Sequence, residues 1–167
     1  MIQVYTGNGK GKTTAAIGLA LRAAGNGLKV YICQFLKAKG YGECRVLKRI
    51  KNITLKQFGR GCFIKKQPVK KDALLAKKGF NNARKIIAKG EYDVIILDEI
   101  NVALKLGLLT LIEVKELLES IPAATEVVLT GRWAHPAILK KADLVSEIKE
   151  RKHYFKKGFR ARRGIEF

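Results

Sequence analysis

Cysteine, histidine and acidic side chains are all scarce in this chain, and each scarcity removes a class of function. The three cysteines, Cys33, Cys44 and Cys62, are an odd number with no C-x-x-C spacing. That excludes a disulfide framework and a cysteine-based metal centre. The two histidines, His135 and His153, are far apart in sequence, so a His/Cys metal cluster and a His-activated nucleophile both lack their parts. No apolar run approaches the ~20 residues that a membrane helix needs. The opening residues MIQVYTG carry neither the charged region nor the long apolar stretch of a signal peptide. These absences read as a reduced, cytoplasmic protein with no membrane segment.

Carboxylates are outnumbered, 14 Asp and Glu against 34 Lys and Arg, which leaves a net charge of +20 over 167 residues. The excess is uneven. Residues 37–89 hold 17 basic and 2 acidic side chains, and residues 149–163 hold 8 and 1, whereas residues 90–148 hold 5 and 10. Such segments suit nucleic acid, phosphorylated ligands or an acidic protein partner. A lysine-rich solvated surface gives the same composition, so charge alone names no partner. With 47% apolar residues the chain folds, and its length suits one domain, 1–167.

Apolar, β-branched runs alternate with amphipathic stretches. Strands are expected at 2–6, 29–35, 53–58, 92–100, 125–131 and 144–149, the third of these nearer an edge. Helices are expected at 13–27, 72–90 with an Asp72 N-cap, 110–121 and 135–142 with Pro136 in the first turn. Segment 36–71 is the least regular. This alternation predicts an α/β fold with a mostly parallel central sheet between helices. Ligands on such sheets bind beyond the carboxyl ends of the strands.

The most informative stretch lies there, between the first strand and first helix: TGNGKGKTTAA, residues 6–16. Glycines let backbone N–H groups turn into a concavity, and the helix that follows brings its positive end to the same point. Lys12 adds a full charge and the Thr13 hydroxyl suits Mg²⁺, so the stretch reads as a polyphosphate-binding P-loop. The usual G-x-x-x-x-G-K-[ST] spacing puts the first glycine at residue 6; here Thr6 stands there and the glycine comes at Gly7. A second acidic part, VIILDEI, ends a buried strand in Asp98 and Glu99, which offer Mg²⁺ a direct or water-mediated ligand beside Thr13. LTGR delivers Arg132 to the same rim, as a phosphate-neutralising group or a rim ion pair.

Taken in order, VYTGNGKGKTTAAIGLALRAAGNG, VIILDEINVAL, LTGRWAHPAIL and the tail ADLVSEIKERKHYFKKGFRARRGIEF resemble the P-loop ATP:corrinoid adenosyltransferases, which act on cob(I)alamin or cob(I)yrinic acid a,c-diamide. The likeness covers residues 2–36 and 92–167 and includes the shifted Gly7. It implies a RecA-like fold, Mg²⁺-bound ATP and a reduced corrinoid as substrates, and transfer of the 5′-deoxyadenosyl group with release of tripolyphosphate. ATP is held reversed, so that C5′ faces the corrinoid. On that resemblance Gly7, Asn8, Gly9, Lys10, Gly11, Lys12, Thr13 and Thr14 cradle the nucleotide, and Glu99 assists the metal. The irregular basic region faces the corrinoid; Phe63 is kept there, while Ile64 stands where the family pattern has Trp. The resemblance further implies a homodimer and an acidic, flavodoxin-like electron donor. The alternative is a nucleic-acid-stimulated P-loop ATPase, which would use the charge, but helix-turn-helix, zinc-finger and RNP-like signatures are missing. A nucleoside kinase could use the acidic pair for Mg²⁺, but the glycine placement is wrong for it and no arginine-rich lid is evident; a non-enzymatic basic binding module, whose P-loop merely anchors a nucleotide, is a further alternative.

Overall fold

The run Val94–Asp98 forms the strand at the middle of the molecule, with all five residues buried. It belongs to a computed structural model that describes residues 1–38, 40–60 and 67–166. In chain order the elements are β1 (Ile2–Thr6), α1 (Lys12–Gly25), β2 (Val30–Phe35), α2 (Gly42–Leu47), β3 (Ile53–Phe58), α3 (Lys70–Lys89), β4 (Val94–Asp98), α4 (Ile100–Lys105), α5 (Leu111–Glu119), β5 (Glu126–Thr130), α6 (Pro136–Lys141) and β6 (Leu144–Glu147), then a 3₁₀ turn at Tyr154–Lys157. The six strands form one sheet in the order β3-β2-β4-β5-β1-β6. All five pairings are parallel, so every carboxyl end faces the same side. β3 is an edge strand, as its alternating sequence predicts.

Strand alternation divides the core between the two faces of the sheet. Val30, Ile32, Val94, Ile96 and Val128 pack with Ala16, Ala20 and Ala23 of α1 and Leu47 of α2. Alanines at this helical spacing let α1 lie close on β2, β4 and β5. Tyr31, Cys33, Phe35, Ile95, Leu97, Val127 and Leu129 point the other way, into a larger cluster with α3, α4, α5 and α6. Among the described residues no helix is long and apolar enough to cross a membrane.

The structure amends three expected boundaries. The strand expected to reach residue 100 stops at Asp98, because Glu99 has φ 65° and breaks the extended run; Ile100 then opens the unforeseen helix α4. The irregular segment holds a second unforeseen helix, α2. Asp72 is not the N-cap of α3: Val69 is, and Asp72 lies three residues inside. Its carboxylate accepts from the Val69 N–H at 3.0 Å and from Arg60 at 2.6 and 2.8 Å. Asp72 is only 5% exposed, so this bidentate pair ties the exit of β3 to the start of α3.

Arg60 and the N–H of Val69 hold the Asp72 carboxyl below the usual carboxylate range, against the opposing effect of burial. Asp72→Asn is expected to lower the unfolding free energy by about 1–3 kcal/mol near neutral pH, read from urea unfolding. A carboxyl with a depressed folded-state pKa stabilises above its unfolded value and loses that effect as pH falls through the folded one. The gap between wild type and variant therefore narrows on acidification; a constant gap would exclude the ion pair as its source.

Candidate active site at the carboxyl edge of the sheet

The phosphate loop is seated on the strand beyond it. Ile148, just after β6, donates its N–H to the Thr6 carbonyl at 2.8 Å and accepts from the Gly9 N–H at 2.7 Å. Gly7 has φ 96°, and a Cβ there would lie 2.4 Å from the Ile148 carbonyl oxygen; at Gly9 the same oxygen would be 2.8 Å away. The shifted glycine thus has a physical cause. Residue 6 is still strand, and the close approach to β6 comes one residue later. Gly11 has φ 122° and caps α1 with no side-chain hydrogen bond, which leaves the first N–H groups of the helix for an anion.

Lys12, 7% exposed, donates to the carbonyls of Gly7 at 2.8 Å and Gly9 at 2.7 Å. Burial lowers its pKa, opposed by the charge of Glu99. Thr13 donates to Asp98 Oδ1 at 2.9 Å. Asp98 is 1% exposed and takes three further donors: Thr130 Oγ1 at 2.6 Å on Oδ1, and Gln34 Nε2 at 3.0 Å and Lys37 Nζ at 2.8 Å on Oδ2. Burial would raise its pKa, but the Lys37 charge and the bonds from Lys37, Thr130 and Thr13 bring the net shift below the ordinary value. Glu99 donates its N–H to Thr130 Oγ1 at 3.0 Å. Burial, then the neighbouring Asp98 charge, raises its carboxyl pKa, against Lys37, Lys12 and Arg132.

The expected parts Lys12, Thr13, Asp98 and Glu99 therefore meet. Their donor set suits a hard divalent cation such as Mg²⁺. The Thr13 hydroxyl and the Glu99 carboxylate offer oxygens, and among the described residues no hydrogen bond reaches that carboxylate. Asp98 spends its oxygens on four donors and so orients Thr13. The other expected residues are more dispersed. Asn8 and Arg132 line a pocket of about 690 Å³ with Trp133, Glu147, Lys149, Glu150 and Lys156. Thr14 is exposed in the first turn of α1. Lys10 is taken by the tail, donating to Tyr154 Oη at 2.9 Å, the Ile165 carbonyl at 3.1 Å and Glu166 Oε1 at 2.9 Å. Phe63 and Ile64 lie outside the described residues.

Three residues of the site carry no sequence signal of their own. Lys37 reads as one lysine of a basic segment, and Gln34 and Thr130 read as strand residues. Only their place at carboxyl ends of β2 and β5 marks them. Asn101, opening α4 beside Gly131, has a buried Nδ2 with no partner among the described residues. The tail is conspicuous in sequence, but its contact with Lys10 is not. Glu166 also accepts from Tyr154 Oη and from the Arg162 N–H, and the Arg162 guanidinium lies 4.7 Å from the Tyr154 ring centre.

Comparison with known proteins gives a consistent result. A family model described as ATP:corrinoid adenosyltransferase BtuR/CobO/CobP matches residues 1–167. A corrinoid adenosyltransferase of Pseudomonas aeruginosa is 37% identical over 169 residues, covering 100% of this chain and 83% of the relative. That of Escherichia coli K12 is 36% identical over 167 residues, covering 100% and 85%. The corrinoid adenosyltransferase CobA of Salmonella typhimurium is 35% identical over 167 residues, again covering 100% and 85%.

The seat on Ile148 makes a specific demand. Gly7→Ala forces a side chain into backbone at positive φ, a strain of about 1–3 kcal/mol, and is expected to weaken ATP binding at least ~10-fold by calorimetry. Gly18→Ala, where a Cβ meets nothing within 4 Å, is expected to leave binding unchanged. Equal affinity in the two variants would refute the seat.

Proposed function

Because this chain belongs to the ATP:corrinoid adenosyltransferases, we propose how its residues divide the work. The established part is the ATP-dependent adenosylation of a corrinoid. The proposed chemistry is a displacement at carbon. The corrinoid substrate, with cobalt reduced to Co(I), attacks the ribose C5′ of ATP. The C5′–O bond breaks with its electron pair leaving on tripolyphosphate, and the new cobalt–carbon bond leaves the metal formally Co(III). The attacking atom belongs to the substrate, which agrees with a chain poor in nucleophile–base pairs. The protein must hold C5′ in line and stabilise charge on the departing polyphosphate.

The observation that carries this reading is the loop Gly7–Thr13, seated on Ile148 and bonded through Thr13 to Asp98, in a chain that matches the family from residue 1 to 167. Lys12 and the N–H groups of Gly11 and the start of α1 take the polyphosphate. Thr13, Asp98 and Glu99 would hold Mg²⁺, directly or through water, and the metal would supply further charge neutralisation there; Asp98 also keeps the Thr13 hydroxyl oriented. Asn8 and Arg132 reach the nucleotide from the adjoining pocket, Thr14 extends the cradle, and Lys10 closes it through the tail. ATP runs reversed along the loop, so that C5′ faces the corrinoid, and the region 36–71 with Phe63 forms the corrinoid side of a single nucleotide-binding domain. Buried free thiols at Cys33 and Cys44 suit a reducing cytoplasm. An acidic, flavodoxin-like donor reduces the cobalt, drawn by the basic segments 37–89 and 149–163, and the enzyme acts as a homodimer. The nucleic-acid-stimulated ATPase reading is not favoured.

Under anaerobic conditions with Mg²⁺, ATP and chemically reduced cobalamin, the Co(I) absorbance is expected to disappear with one tripolyphosphate formed per adenosylated corrinoid. Release of ADP and phosphate instead would sink the displacement at C5′. Lys12→Ala is expected to lower turnover by about 10²–10³-fold with an unchanged circular dichroism spectrum; full activity would remove Lys12 from the mechanism. With a flavodoxin donor, turnover is expected to fall as salt rises from about 0.05 to about 0.3 M, a range over which screening cuts electrostatic reach to roughly half or less. A flat profile would argue against steering by the basic segments.

A further inference from the structure

Lys37 is a second lysine aimed into the phosphate site, and the surrounding backbone is shaped to aim it. After β2 the chain turns at Leu36, which has φ 61°, a conformation L side chains rarely adopt. The Leu36 N–H donates to the Phe58 carbonyl at 3.0 Å. Gly59 then passes so close that a Cβ on it would lie 2.3 Å from the Leu36 carbonyl carbon and 2.4 Å from the Lys37 nitrogen. The Lys37 ammonium, on a side chain 16% exposed, bonds Thr13 Oγ1 at 2.9 Å and Asp98 Oδ2 at 2.8 Å.

Thr13 and Asp98 are the pair beside which a P-loop site places its divalent cation. The Lys12 ammonium is instead bonded to the carbonyls of Gly7 and Gly9. A carboxylate as buried as Asp98 needs a positive partner in every state of the protein. The Thr13 hydroxyl gives its proton to Asp98 and accepts from Lys37, so a cation arriving at that oxygen meets the ammonium on the same side chain. Asp98 and Glu99 keep Lys37 charged despite burial.

We propose that Lys37 is a built-in stand-in for the divalent cation: it holds Thr13 and Asp98 together while no metal is bound and is displaced when the metal arrives. The proposal rests on the cation site assigned above. Two consequences separate it from an ordinary ion pair. Lys37 opposes metal binding, and the metal can replace it as the partner that stabilises the site.

The test uses the full chain and Mn²⁺, followed by electron paramagnetic resonance, with and without ATP. Lys37→Met is expected to bind Mn²⁺ about 10-fold more tightly than wild type, as removal of one neighbouring like charge predicts. Lys37→Arg, which keeps the charge, is expected to stay near wild type. In EDTA the Met variant melts below wild type, and Mn²⁺ restores more of its melting temperature than it adds to wild type. Should the Met variant fail to fold, Lys37→Gln serves in the same titration. Equal Mn²⁺ affinity in all proteins, or weaker binding by the neutral variant, overturns the stand-in while leaving the cation site in place. No Mn²⁺ bound by any of them even with ATP overturns both.

Discussion

A single buried carboxylate holds the working edge of this protein together. Asp98 receives hydrogen bonds from Thr13 on α1, Gln34 on β2, Lys37 in the loop beyond β2, and Thr130 on β5. Removing a carboxylate from water costs several kcal/mol, about what well-placed donors and one counter-charge return. The net stability of the arrangement is therefore small, but its geometric consequence is large. Four separate segments must reach one point before the charge is tolerable, and that point lies at the first turn of the helix behind the phosphate loop.

Strain collects along the same edge. The non-glycine residues with positive φ among those described are Leu36, Glu99 and Trp133, and they follow β2, β4 and β5 respectively. Each costs on the order of 1 kcal/mol relative to an ordinary conformation. Leu36 turns Lys37 inward. Glu99 ends the strand immediately after Asp98. Trp133 follows Arg132 at the mouth of the pocket that Asn8 also lines. Strain at the ends of adjacent parallel strands is how a rigid sheet brings side chains from distant parts of the sequence to one place.

Much of this was legible in the residues. The phosphate loop, the apolar strand ending in two acids, the edge position of β3 and a mostly parallel sheet follow from periodicity, glycine placement and the order of segments; that every pairing is parallel is seen only in the structure. The displaced glycine could be seen but not explained, because its cause is the backbone of Ile148, 141 residues away. Helix α4 was hidden because Ile100 reads as the last residue of a strand over 92–100, and only the backbone at Glu99 ends the strand earlier. Asp72 resembles an N-cap in sequence, yet it faces Arg60 across the undescribed segment 61–66. Lys37 was lost among 17 basic residues of its segment: composition counts a charge, whereas function depends on which oxygen it faces. Gln34 and Thr130 are unremarkable except by position, and position at a strand end is weak information until the sheet order is known.

The seat of the phosphate loop also bears on how the protein is made. β1 is flanked by β5 and β6, so the strand that leads into the loop finds neither neighbour until most of the chain exists. Ile148, which fixes Gly9 by a backbone hydrogen bond, leaves the ribosome after the loop by on the order of ten seconds at typical synthesis rates of about 5–20 residues per second. During that interval the loop lacks the backbone bonds of Ile148 to Thr6 and Gly9 that seat it in the finished fold. The finished seat of the phosphate loop is therefore a late feature of synthesis, complete only once the chain has reached β6 and Ile148.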